Sequence, residues 1–347
     1  MSPTLFLTGT TGYIGGTVLD TLYNAHPEWS YIVLLRKVPD GFEEKYPNVQ
    51  IVKGDYDSIE VISQAASRAD IVVHSGNSDH EPSINALIAG LLKRPKTSFL
   101  IHLSGTGIVA DFREGKYVGE LNPKVWSDIE DIDAITSLPD DALHRNVDKI
   151  IQAAAAAHGD KLKTAIVCPP DICGKGRGLG RTQSVLLPAY KAESIKLGAA
   201  VYTGSGGNAR SWVHIEDLMK LYLSLVEAAA AGGGNADWGK EGYYFASTHE
   251  STQYDLAKAS AKCLHAKGLI LSPEPKQLSI EEIDGLLSDW KIPGIARYLF
   301  AGNSRTRPDR ATKLFGYTST APTLWDVLEA DFDSTNDPLV SAALDKQ

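Results

Sequence analysis

Little in this chain suits an oxidising or a membrane setting. Three cysteines among 347 residues cannot build a disulfide framework, which points to a reducing compartment. No uncharged apolar stretch approaches the ~20 residues that span a bilayer. The opening MSPTLFLTGTTG has no basic region and runs directly into a strand-like stretch, so no cleavable signal is expected and the cytoplasm is the default location. Positive charge is also short. The 34 Lys and Arg against 43 Asp and Glu leave a net charge of −9, which speaks against nucleic acid or an anionic membrane surface as partner. Internal repeats are lacking too. What is there is ordinary globular composition, 43% hydrophobic and 22% charged, ample for a core and long enough for two lobes.

The first half alternates short β-rich runs with helical ones. LFLT (5–8), YIVLL (31–35), VQIVK (49–53), DIVVH (70–74), SFLIHLS (98–104) and KTAIVC (163–168) have the length of strands. A helix follows the first strand to about Ala25, and the stretches around 57–67, 81–93 and 141–158 have helical character. Near-continuous apolar strands separated by helices predict a parallel sheet buried on both faces, the doubly wound Rossmann-type α/β pattern. The alternation fails between Gly105 and Asp140, where an acidic insertion, WSDIEDIDAITSLPDD, appears. A loop of that length beside a sheet's carboxyl edge is expected to be functional. After Cys168, CPPDICGKGRGLGR marks an exit into a second lobe. The expected division is a nucleotide-binding domain over 1–170 with 211–247 returning to it, and a smaller substrate-binding lobe over 171–210 and 248–330. A polar tail covers 331–347.

GTTGYIG sets Gly9, Gly12 and Gly15 between the first strand and the first helix. One glycine allows the turn, one lets the backbone approach a pyrophosphate and one lets helix and strand pack closely. The helix N-terminus then presents free N–H groups and a positive dipole end to the phosphates. A dinucleotide is the expected ligand. At the end of the second strand, where NAD binders usually carry an acid, the sequence reads LLRKVPD. Arg36 and Lys37 there suit a 2′-phosphate, so NADP(H) is favoured over NAD(H).

GTTGYIG, GDYD (54–57) after the third strand and HSG (74–76) after the fourth together resemble the extended short-chain dehydrogenase/reductase superfamily, the NAD-dependent epimerase/dehydratase type. RSWVHIED (210–217) is similar to that family's interlobe segment, and RPDRATKLFGY (307–317) to its terminal helix. The likeness covers roughly residues 4 to 325. It implies that Gly9, Thr11, Gly12, Tyr13, Ile14 and Gly15 hold the cofactor diphosphate, with Asp55 and Tyr56 at the adenine. It places Ser75 and Gly76 at a ribose and phosphate, and Pro169 and Ile172 beside the nicotinamide. Arg210 would face the substrate, while His214 and Asp217 would be structural. Arg181, Gln183, Tyr190 and Trp212 divide between shaping the substrate pocket and serving as scaffold. Family members are often dimeric, so a homodimer is allowed.

The same likeness implies a Tyr-x-x-x-Lys helix and a serine or threonine after the fifth strand. Here the helix reads HRNVDKIIQAAAAAH (144–158). Lys149 is present for the ribose, but the tyrosine position falls on Arg145, which cannot cycle a proton near neutral pH. Arg145 divides between a substrate clamp and an ion-pair partner. His144 has a suitable ordinary pKa for acid–base work, yet one helical residue turns a side chain by ~100°. In HLSGTG (102–107) the serine position falls nearest Gly105, so either Ser104 or Thr106 is expected to line the site. Another Tyr-x-x-x-Lys, Tyr254…Lys258, falls on a peripheral helix, and Tyr117 in the insertion is a remote candidate donor. Cys168 and Cys173 lack further nearby ligands, and no metal is expected.

Three functions follow from these residues. The first is an NADP(H)-dependent oxidoreductase acting on a small carbonyl or imine substrate, with Ser104, Thr106, His144, Arg145 and Lys149 as the candidate catalytic set. The second is an NADP(H)-binding redox sensor without turnover, of the NmrA-like kind. The third is a non-redox isomerase, cyclase or lyase on the same scaffold.

Overall fold

The computed structural model describes residues 2–113 and 115–334. Seven parallel strands form the main sheet: β1 (Thr4–Thr8), β2 (Ser30–Leu35), β3 (Val49–Lys53), β4 (Ile71–His74), β5 (Ser98–Leu103), β7 (Leu162–Cys168) and β11 (Tyr243–Phe245). β6 (Trp126–Ser127) lies outside it. The spatial order is β11-β7-β5-β4-β1-β2-β3, so the chain reverses direction between β1 and β4, where doubly wound sheets bind ligands at their carboxyl edge.

Period-two alternation decides what each face buries. Leu5, Leu7, Val33, Val73, Ile101 and Val167 pack with Val18, Leu19, Leu218 and Leu225, which belong to α1 (Tyr13–Ala25) and α8 (Ile215–Ala230). Phe6, Ile32, Leu34, Val72, Leu100 and Ile166 pack on the other side with Ile62, Leu87, Val147 and Ile151. Those come from α3 (Ile59–Ala66), α4 (Glu81–Leu92) and α6 (Arg145–His158); the short α2 (Phe42–Lys45) and α5 (Ile132–Thr136) sit in connections. The strands of the first half therefore fall within a residue or so of their expected bounds.

A third core gathers Leu187, Tyr190, Val201, Trp212, Leu256, Leu264, Leu299, Phe300 and Phe332. It is built from β8 (Asp171–Cys173), α7 (Leu186–Leu197), β9 (Val201–Thr203), β10 (Ala209–His214), α9 (Gln253–Ala266), α10 (Ile280–Asp284), α11 (Ile295–Phe300) and, after α12 (Asp309–Phe315), α13 (Leu324–Asp333). β10 lies between β8 and β12 (His249–Thr252) in a small sheet. α13 takes up the first residues of the expected polar tail, and residues 335–347 of that tail lie outside the described residues.

The acidic insertion is a clasp between the two parts. Asp111 pairs with Asn303 in an isolated bridge, Gly119 N donates to Ala301 O at 2.9 Å and Trp126 N to Arg305 O at 2.9 Å. Asp128, fully buried, accepts from Phe245 N and Arg310 N, each at 2.9 Å. No helix among the described residues is long and apolar enough to cross a membrane.

Candidate active site

The glycine turn lies at the carboxyl end of β1. Gly9 has φ +75°, and a Cβ there would collide with the Ser75 carbonyl, so any side chain would be both strained and obstructed. Gly12 caps α1 in extended conformation without a side-chain cap, leaving the first N–H groups of a 13-residue helix to a ligand. Thr10 Oγ1 beside this turn is buried without a hydrogen-bond partner among the described residues. That cradle fits a dinucleotide diphosphate. Arg36 and Lys37 are exposed just past β2. Asp55 is turned on its own loop, accepting from Ser58 Oγ at 2.9 Å and Asp57 N at 3.1 Å. The Ser58 bond leads the effects that hold its carboxyl below the usual range. The Tyr56 phenol packs directly on Gly76.

The glycine-rich exit from β8 lies along the cradle. Tyr13 Oη donates to Gly174 O at 2.5 Å, Arg177 N to Thr17 Oγ1 at 3.2 Å and Arg181 N to Thr11 O at 2.9 Å. Tyr13 and Thr17 are thus scaffold contacts between α1 and the second lobe. Arg181 Nη2 turns back to Ser184 O at 2.8 Å. Pro169 is buried, its carbonyl accepting from Thr106 N at 3.0 Å, and Ile172 sits in β8 with 9% exposure.

At the carboxyl ends of β1, β4 and β5 the register aligns Thr8 with His74 and His74 with His102. Parity turns these residues and Ser104 toward the α6 face, the face that buries Phe6, Val72 and Leu100. Asp148 of α6 meets them there, fully buried. Ser104 Oγ donates to Asp148 Oδ2 at 3.0 Å, Tyr243 Oη approaches the same oxygen at 3.4 Å, and His102 Nε2 lies 3.9 Å from Oδ1. The His74 and His102 rings stack with centroids 5.2 Å apart. Burial drives both histidines toward the neutral form, His74 to a pKa of about 4. Burial also pushes the Asp148 carboxyl up to about 7, against the nearby His144 charge and the Ser104 and Tyr243 hydroxyls. The carboxyl is therefore poised to hold or release a proton near neutrality.

His144 stands at the head of α6 in the left-handed region, φ 64°, an uncommon conformation for a residue with a side chain. Its Nδ1 pairs with Asp79 Oδ1 at 2.9 Å. Its Nε2 lies over the β5 exit, 3.2 Å from where a Cβ on Gly105 would sit. The side chain is 23% exposed. Burial disfavours its charged form, but the Asp79 bond and the charges of Asp79 and Asp148 outweigh that and raise its pKa above the ordinary histidine value.

The residues that sequence spacing paired, Arg145 and Lys149, point elsewhere. Arg145 is buried, donating from Nε to Leu138 O at 3.0 Å, from Nη2 to Thr136 O at 2.8 Å and from Nη1 to Gln152 Oε1 at 2.8 Å. Each of its three nitrogens donates to the insertion or to its own helix, which holds the guanidinium away from a clamping position. Lys149 is half-exposed and pairs with Asp140 at 2.8 Å, about 100° round α6 from Asp148, which holds Ser104. The i, i+4 pair that faces the sheet is His144 and Asp148, one residue earlier.

Other expectations are also relocated. Tyr190 is core, its hydroxyl donating to Val201 O at 2.6 Å, not a pocket wall. Arg210 is buried and held by both Asp171 oxygens, Nε at 2.5 Å and Nη2 at 3.2 Å, so it is not free to bind a substrate anion. Thr106 Oγ1 accepts from Ser304 Oγ at 3.0 Å. Gln183 is buried with Oε1 unpartnered among the described residues. His214 caps α8, and Asp217 accepts from Thr320 N and Ala321 N. Tyr254 lies half-exposed at the start of α9. Asp148, His102 and Asp79 were absent from the sequence candidates. The signal for the first two was the parity of SFLIHLS together with the helical phase of α6.

Residues 141–239 match the family model described as NAD dependent epimerase/dehydratase family. An oxidase, ucsJ, of Acremonium sp is 31% identical over 341 residues, covering 95% of this chain and 96% of that protein. A dTDP-glucose 4,6-dehydratase of Mycobacterium tuberculosis is 22% identical over 244 residues, 66% of this chain and 70% of that one. Among solved structures, DesIV, a dTDP-glucose 4,6-dehydratase from Streptomyces venezuelae with NAD and TYD bound, superposes with TM-score 0.63 at 17% identity, covering 95% of this chain and 96% of that chain. The UDP-glucose 4-epimerase of Thermotoga maritima with UDP-glucose gives 0.62 at 17% identity, covering 96% and 100%.

Proposed function

Because the chain belongs to the NAD dependent epimerase/dehydratase family of extended short-chain dehydrogenases/reductases, we propose that it is an NADP(H)-dependent oxidoreductase acting on a small carbonyl or imine substrate. It is an NAD-binding enzyme of oxidoreductase type, and the nicotinamide supplies or accepts the hydride. Gly9, Gly12 and Gly15 with the α1 N-terminus hold the diphosphate, and Arg36 and Lys37 take the 2′-phosphate. The full-length likeness to a protein named an oxidase supports redox chemistry.

One observation carries the reading. In the helix where relatives place their acid–base residue, His144 sets Nε2 over the β5 exit and is oriented through Nδ1 by Asp79. An imidazole with one nitrogen fixed by a carboxylate and the other facing a cleft is arranged to pass a proton. The partly exposed side chain and the Asp79 pairing give it a route to recover that proton from solvent. Ser104 and Asp148 form the buried wall behind it.

The test mixes protein with NADPH or NADH and a panel of aldehydes, ketones and imines, following the nicotinamide absorbance. Turnover that is abolished in His144→Gln, with nucleotide affinity retained, is the expected result. Tight nucleotide binding with no turnover by the wild type would favour a sensor. Substrate conversion with no net change in the cofactor band would favour the isomerase or lyase reading.

A further inference from the structure

The helix that carries the acid–base residue has no tyrosine, and both candidate hydroxyls beside it are engaged. Ser104 donates to Asp148, and Thr106 is bonded to Ser304. A phenol nevertheless reaches the same place from the second lobe. The point where a Cβ on Gly107 would sit lies 2.9 Å from Tyr298 Oη, 3.2 Å from Leu143 Cδ1 and 3.5 Å from His144 Nε2. Tyr298 Oη and His144 Nε2 thus flank the same glycine from the same side of its Cα.

Tyr298 is held through its backbone and on two sides of its ring. Its backbone N–H closes a turn of α11 onto Gly294 O at 2.9 Å. Phe112 meets the ring edge-on with centroids 5.1 Å apart. Arg210 lies 4.8 Å over the ring, donates from Nη1 to the Tyr298 carbonyl at 2.9 Å and is itself fixed by Asp171. The interlobe arginine, expected from sequence at the substrate, instead supports an aromatic ring whose hydroxyl lies beside Gly107.

Resting on the oxidoreductase reading, we propose that Tyr298 is a catalytic residue: its hydroxyl and His144 Nε2 together hold the substrate oxygen, so the second lobe supplies the donor that α6 lacks. In the reducing direction the carbonyl carbon receives a hydride from NAD(P)H, and the π pair moves onto the oxygen. That oxygen takes the proton from His144 Nε2, forming an O–H bond and leaving a neutral imidazole. Tyr298 keeps its proton and donates a hydrogen bond throughout, stabilising the developing charge. Burial raises its phenol pKa, only partly offset by Arg210, so it stays a donor.

Tyr298→Phe keeps the ring, the Arg210 stacking and the Phe112 contact, and removes the hydroxyl together with its interaction with Arg210. Losing one such donor is expected to lower kcat by ~100-fold, with the NADPH dissociation constant unchanged and the pH limb belonging to His144 kept. A second readout needs no turnover. Acetate, an oxyanion probe, is titrated into nucleotide-free protein while the His144 ring resonance is followed by NMR. It should raise the His144 pKa in the wild type and bind at least tenfold more weakly to Tyr298→Phe, a factor that corresponds to ~1.4 kcal/mol. Equal kcat, equal acetate affinity, or no acetate effect on His144 in the wild type overturns the assignment. If the wild type reduces no carbonyl or imine, the oxidoreductase reading falls and the assignment with it; if it does and Tyr298→Phe matches it, only Tyr298 is lost.

Discussion

Asp148→Asn separates a buried neutral carboxyl from a buried carboxylate. Asp148 is fully buried, and burial pushes its pKa from 3.8 to about 7. The sign follows from proton counting. Between the unfolded and the folded value the native state binds the extra proton, so stability is greatest below the unfolded value and is lost as pH rises toward 7. Three units at ~1.4 kcal/mol each make the whole loss on the order of 4 kcal/mol, of which roughly 2–3 kcal/mol falls between pH 5 and pH 8. Asparagine has the same shape, cannot ionise and still accepts from Ser104. Relative to the wild type, Asp148→Asn should therefore gain about 2–3 kcal/mol on going from pH 5 to pH 8. Urea denaturation at each pH, fitted for both proteins with a shared slope, reads this difference. A difference that stays flat across that range would mean that Asp148 is ionised in the native state throughout, and the buried proton would have to be given up. His74 and His102, held neutral, act in the opposite sense below their ordinary values, but they are common to both proteins and cancel in the comparison.

Arg145→Ala should unfold more readily, by about 2–4 kcal/mol, because the Leu138 and Thr136 carbonyls lose charged donors; nucleotide affinity by calorimetry should be unchanged, and a selective loss of substrate binding without destabilisation would restore the clamp. Lys149→Ala removes a half-exposed pair with Asp140 and should alter stability and nucleotide affinity by less than ~1 kcal/mol; a hundredfold loss of NADPH affinity would show that the lysine swings to the ribose. Arg36→Glu should weaken NADPH at least tenfold more than NADH in paired titrations, and an equal loss for both coenzymes would remove the 2′-phosphate assignment.

The strands were legible because a parallel sheet covered on both faces needs continuous apolar runs, and LFLT, YIVLL and SFLIHLS can be little else. The glycine turn was legible for a similar reason. Only glycine accepts the φ of Gly9 against the Ser75 carbonyl, so spacing and chemistry coincide. The acid–base site was only half legible. His144/Asp148 and Arg145/Lys149 have the same i, i+4 spacing in one helix, and nothing local says which pair faces inward. The choice falls to the phase of α6, set where the left-handed His144 begins the helix and where Val147 and Ile151 enter the core. Tyr298 lies some 150 residues from that helix in sequence and reaches it only because the insertion clasps the two lobes together. By itself the sequence determined the sheet, the turn and the cofactor class, since those follow from local periodicity and backbone permission. Which side chains share the cleft was decided by tertiary structure alone, because helix rotation and lobe docking depend on the packing of residues far apart in the chain.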